Sequence, residues 1–111
     1  MSYNVSTNTI KFNYLQVNSY ISKIRIKETE ENLVKIILYH VIGYYLDFKK
    51  NKHDLRTLKY GEDYEIAKLK TLIEMNAWIY GRKLVPDVLL HSYDQVRELD
   101  KELINGQLTN I

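Results

Sequence analysis

Cysteine is absent from this chain of 111 residues, which excludes disulfides, thiolate nucleophiles and sulfur-rich zinc sites while leaving the compartment open. Proline occurs once, at Pro86, and glycine four times, so few positions interrupt regular structure. No apolar run reaches the roughly 20 residues of a membrane-spanning helix. The longest, Ile36 to Leu46, contains His40 and Gly43. Met1 to Phe12 has no apolar stretch behind a basic segment, so no secretory signal is expected and the chain is read as soluble and cytoplasmic. An excess of one charge is lacking too, since 16 Lys and Arg stand against 14 Asp and Glu. There is no glycine-rich phosphate loop, no nucleophile elbow and no HExxH pair. No cofactor or metal is implied, and the chain is expected to be a binding protein and not an enzyme.

What is present is helical periodicity. One hundred and eleven residues suit a single domain spanning 1–111, which buries roughly 65% of its unfolded surface. Ile66, Leu69, Ile73, Ala77 and Tyr80 step by three and four, as one face of a helix requires. Gly81 then stands where a left-handed C-cap is wanted, Arg82 and Lys83 follow, and Pro86 opens a second helix. Leu89, Tyr93, Val96, Leu99 and Leu103 form its stripe, and Asn105 with Gly106 supplies a stop. Upstream, Thr29 is placed to cap a helix with Glu30 and Glu31 in its first turn. Leu33, Ile36, Ile37, His40, Val41, Tyr44, Tyr45 and Phe48 follow at core spacing, with Val34, Leu38 and Ile42 widening the apolar surface. That breadth predicts the central helix of the fold. Lys49 to Asp54 ends it, and Asp54 to Tyr60 suits one more short turn closed by Gly61.

The N-terminal third admits two readings. Ile10, Tyr14, Val17, Ile21 and Ile24 step four, three, four, three, the spacing of a packed helix. Tyr20, Ser22, Ile24 and Ile26 alternate with Lys23, Arg25 and Lys27, as a short strand or hairpin would. Helix is preferred, because a lone hairpin needs a sheet to join. Met1 to Asn8 is polar and expected to fray. The predicted architecture is all-α, an antiparallel bundle of three to four helices with a short β-hairpin near the N-terminus as the competing element.

Candidate chemistry is sparse. His40 lies on an apolar stripe and reads as a hydrogen-bonded core residue, whereas His53 and His91 are expected in solvent. Asp94 and Glu98 share a helix face and, with Asp100, read as a solvated acidic face. Ten tyrosines suit core boundaries, with rings inside and hydroxyls at the edge. Lys49, Lys50, Lys52, Arg56 and Lys59 form a basic segment with Asp54 as its one acid. Nucleic acid is disfavoured as the partner because overall basicity is low and no helix pairs the cluster with base-reading side chains. A protein partner is favoured, with those five cations and Arg82, Lys83, Tyr93 and Arg97 as the contact residues.

Arg82, Lys83, Leu84, Val85 and Pro86, then Leu89, Leu90, Tyr93, Gln95 and Val96, ending in Asn105 and Gly106, resemble the last helical hairpin of the pediocin-like bacteriocin immunity proteins. The resemblance covers about the last 45 residues. It implies a small cytosolic four-helix bundle that acts from inside the cell on a sugar-transporter receptor engaged by a bacteriocin, with specificity in its C-terminal half. Gly81, Pro86, Asp87, Val88 and Leu89, followed by Glu98, Leu99, Asp100 and Ile104, resemble the two-helix sporulation aspartyl-phosphate phosphatases. Their Ser-Gln-Glu-Leu-Asp signature is not met, since Ser92 is followed by Tyr93 and Asp94, so this reading ranks below immunity. A third class, a phage or mobile-element protein that binds and inhibits a host enzyme, fits the small size and high tyrosine content.

Overall fold

The computed structural model describes residues 1–103 and Leu108–Thr109, with side chains described through Asp100. In chain order come β1 (Ser2–Asn4), β2 (Thr9–Lys11), α1 (Tyr14–Lys23), α2 (Glu30–Lys50), α3 (Arg56–Tyr60), α4 (Asp63–Arg82), α5 (Asp87–Leu103) and β3 (Leu108–Thr109). The protein is therefore an all-α bundle with a small sheet. None of the described helices is long and apolar enough to cross a membrane.

Local signals explain most helix starts. Thr29 caps α2, its side chain accepting from the Asn32 N–H at 3.2 Å, and Asn13 caps α1 through the Gln16 N–H at 3.1 Å. At the start of α4 the Glu62 N–H donates to Glu65 Oε1 at 3.1 Å. Each contact satisfies a donor that the first turn leaves without an intrahelical partner.

α2 is the centre, touching α1, α4, α5 and β1. Its buried residues Leu33, Ile36, Ile37, His40, Val41, Tyr44 and Asp47 face several neighbours at once. The tightest contact is with α4. A Cβ on Gly43 would sit 1.9 Å from the Ala77 carbonyl oxygen, and one on Gly81 would sit 2.4 Å from the Tyr39 carbonyl oxygen. One turn forward along α2, from Tyr39 to Gly43, thus matches one turn back along α4, from Gly81 to Ala77, so the two helices run antiparallel with backbones in contact. The sequence reading of Gly81 as a left-handed C-cap is corrected here. α4 continues through Arg82, and among the described residues no glycine has positive φ. Gly81 is glycine because a neighbouring helix leaves no room for a side chain. Ile37, Val41, Ile73 and Val96 share one core as expected.

A short β-hairpin is present near the N-terminus, at residues 2–11 and not at 20–27. Within the stretch expected to fray, Ser2–Asn4 is instead the central strand of a sheet of order β2-β1-β3, with Tyr3 opposite Ile10 in the antiparallel pair and opposite Leu108 in the parallel one. Asn8, at φ 53, makes the turn, a conformation asparagine tolerates, and its Oδ1 accepts from the Tyr3 hydroxyl at 2.5 Å. The Tyr3 ring then packs against Tyr45 and Phe48 of α2, at centroid distances of 6.4 and 6.1 Å. Packing of the buried Tyr3 against α2 holds the end in place, and Met1 is buried beside it in sequence. Between 10 and 27 the helix prevails over Tyr14–Lys23, while Ile10 falls in β2 and Ile24 is an extended C-cap. The alternation at 20–27 therefore reflects no strand. Asn105 and Gly106, read as the stop of the last helix, lie outside the described residues.

Candidate functional site

Two buried carboxylates organise the interior. Asp47, fully buried on α2, accepts at Oδ1 from Nδ2 of Asn51 (2.9 Å) and of Asn76 (3.0 Å). Its Oδ2 lies 2.8 Å from Nε2 of His53, and Asn51 Nδ2 also reaches the Tyr80 hydroxyl at 3.1 Å. A carboxylate removed from water needs such donors to remain tolerable. The set ties the end of α2 and the following loop to α4. His53, expected in solvent, is nearly buried, with its ring edge on Phe48 at 5.3 Å.

Asp100 of α5 is the second, 8% exposed. Its Oδ1 accepts from the Tyr20 hydroxyl at 2.8 Å and its Oδ2 from the Trp78 indole N–H at 3.3 Å. Burial pushes its carboxyl above the usual carboxylate range, against the pull of those hydrogen bonds. Burial, followed by the charge of Asp100, pushes the Tyr20 phenol far up as well. The Trp78 ring stacks on His40 at 3.9 Å and 11°. His40 Nε2 faces Glu74 Oε2 at 3.4 Å, and Glu74 Oε1 accepts from the Tyr44 hydroxyl. One polar line thus joins α1, α5, α4 and α2. Acids and a histidine in this arrangement could exchange protons; Tyr20, His40, Trp78 and Asp100 are buried while Glu74 is partly exposed, and the contacts tie the four helices together.

The acidic face read on α5 is therefore divided. Asp100 is interior. Asp94 forms a bidentate contact with Arg82, at 2.9 and 3.1 Å, which holds its carboxyl below the usual range. Glu98 is exposed. Among the described residues no group of three His, Asp or Glu side chains is placed to hold a metal ion.

The basic segment is brought to the end of the α4–α5 hairpin. Lys50 and Lys83 both lie over the Tyr80 ring, at 5.3 and 5.2 Å from its centroid, and Lys49 lies over Tyr45 at 5.8 Å. Cations over aromatic faces are positioned while their charge stays available to solvent. Lys52 is exposed, Arg56 reaches Asp54 at 3.2 Å, and Lys59 lies over Tyr60 at 5.5 Å. Arg97 is half-buried. Tyr93 departs from its expected place on the contact surface: it is fully buried, and its hydroxyl donates to the Trp78 carbonyl at 2.6 Å. An aromatic ring on the seam between two helices gains more from the core than from solvent.

Sequence reasoning missed Asp47, Glu74 and Trp78. A signal existed for Asp47, since His40, Tyr44 and Asp47 continue one stripe at spacings of four and three. Asp100 likewise continues Leu89, Tyr93 and Val96. Scans against protein-family models, curated proteins and solved structures give no match.

Proposed function

We propose that this chain is a non-enzymatic cytoplasmic binding protein that presents the basic end of its bundle to an acidic protein surface, in the manner of the immunity proteins its last hairpin resembles. The observation that carries the proposal is the placement of Lys50 and Lys83 on one Tyr80 ring. It joins the end of the basic segment to the hairpin in one positive cluster, next in sequence to Lys49 and the exposed Lys52. Such a surface accelerates encounter with an acidic partner. The partner in this reading is a bacteriocin-engaged membrane receptor, approached from the cytosolic side.

Expressing the gene in a sensitive strain and challenging it with a panel of pediocin-like peptides tests the reading. Protection against at least one peptide is expected, and Lys50→Glu with Lys83→Glu should abolish it at unchanged expression and helicity. Absence of protection against the whole panel from the well-expressed parent would overturn immunity. Recovery of a soluble host enzyme in a pull-down, with loss of that enzyme's activity, would then assign the same surface to an inhibitor.

A further inference from the structure

α4 carries a second apolar stripe, opposite the one it buries. Tyr64, Lys68, Leu72, Met75, Ile79 and Arg82 step four, four, three, four, three along its outer face, the seam spacing of paired helices. Leu72, Met75 and Ile79 are 40%, 44% and 42% exposed and Tyr64 is 73% exposed. None of these four belongs to the buried core. The charges at the two ends of the seam are opposite: Glu62, Asp63 and Glu65 stand at the start of α4, and Lys83 at its end beside Arg82, whose guanidinium already pairs with Asp94 of the same chain, so Lys83 is the main cation offered to a second copy.

We infer that this face is a self-association surface, and that its occupant is α4 of a second copy running antiparallel about a twofold axis. A twofold contact must be self-complementary, so that whatever one copy offers at one end the other receives at its opposite end. With Leu72 set against Met75 of the second copy, Lys68 falls against Ile79, while Tyr64 and Glu65 fall against Lys83 and Arg82. Both ends then join acid to base. The Lys68 methylenes cover Ile79 while the ammonium reaches the edge of the seam. Antiparallel alignment also places the positive end of each helix dipole beside the negative end of the other. A parallel pair would set Glu65 against Glu65 and Arg82 against Arg82, and a uniformly acidic partner would be repelled by the first turn. A 20-residue helix offers a seam of only about 30 Å. The dimer therefore belongs to the small, reversible class of interfaces, with a dissociation constant of about 10 µM to 1 mM.

Sedimentation velocity of the full chain over about 10 µM to 1 mM should show a monomer converting to a dimer. Met75→Glu, at an exposed position, should leave helicity and the melting temperature unchanged and weaken association about tenfold or more, because both copies place a carboxylate at the centre of the seam. Glu65→Lys alone should stay monomeric, since its lysine meets Arg82 and Lys83. Mixing it with Lys83→Glu should restore heterodimers, a readout compared with each variant alone so that loss of the Glu65 cap cancels. A parent chain that remains monomeric throughout, a Met75→Glu variant that dimerises as tightly as the parent, or a mixture no tighter than the Glu65→Lys variant alone would each overturn the proposal.

Discussion

Asp47 and Asp100 occupy the same kind of position, a core-facing step of an amphipathic helix, and are solvated by the protein in different ways. Asp47 has three side-chain donors, two from within six residues and one from α4. Asp100 has two, from Tyr20, eighty residues away in sequence, and from Trp78. Donors close in sequence form a local clasp that closes the end of one helix. Donors far apart form a cross-brace that exists only when α1, α4 and α5 are assembled. Two donors offset burial at Asp100 only in part, and its carboxyl is held above the usual carboxylate range.

The difference is open to measurement. The largest effect should come from Asp47→Ala, which strands the amides of Asn51 and Asn76 and the His53 ring in the interior at a cost of about 3–5 kcal/mol. Urea denaturation reads it, and a loss no greater than that of Asp100→Ala would break the contrast. Asp100→Ala should cost about 1–3 kcal/mol at pH 7, because removing an unfavourably buried charge offsets part of the two lost hydrogen bonds.

The pH dependence sharpens the same point. The folded state holds the Asp100 proton more tightly than the unfolded chain, so this group's stabilisation is fully present below the ordinary carboxylate value of about 4. It is lost as pH rises through the elevated folded value. Asp100→Asn should flatten that decline in a series of denaturation curves from pH 4 to 7. An unchanged slope would place the burden on another group.

His53→Ala should be milder, about 1 kcal/mol, and local: amide exchange should accelerate from residue 51 to 55 while the α2 core stays protected. Arg82→Gln should be the smallest, leaving the melting temperature almost where it was, since the Arg82–Asp94 pair is about half exposed and exposed pairs contribute little.

Much of this fold is legible in short-range pattern. Thr29, the stripe of α2, the stripe of α4 and Pro86 before α5 are all local, and local contacts are encoded within a few residues of each other. The basic segment of the candidate site was equally visible as composition. Its union with Lys83 was not, because Tyr80, the ring between Lys50 and Lys83, is thirty residues from one of them. The position of the N-terminal strands, at residues 2–11 and not 20–27, was illegible for a related reason. Ser2–Asn4 is three residues long, too short for a periodic signal, and is held by the rings of Tyr45 and Phe48.

By itself the sequence determined where helices form and which face of each is apolar, because backbone hydrogen bonding and side-chain spacing act within one or two turns. Only the tertiary structure decided that Gly81 serves a helix crossing and not a cap, that Asp100 lies inside and Glu98 outside, and that the first residues make a sheet. Those outcomes depend on which atoms occupy the space next to each residue, and that space is filled by parts of the chain far away in sequence.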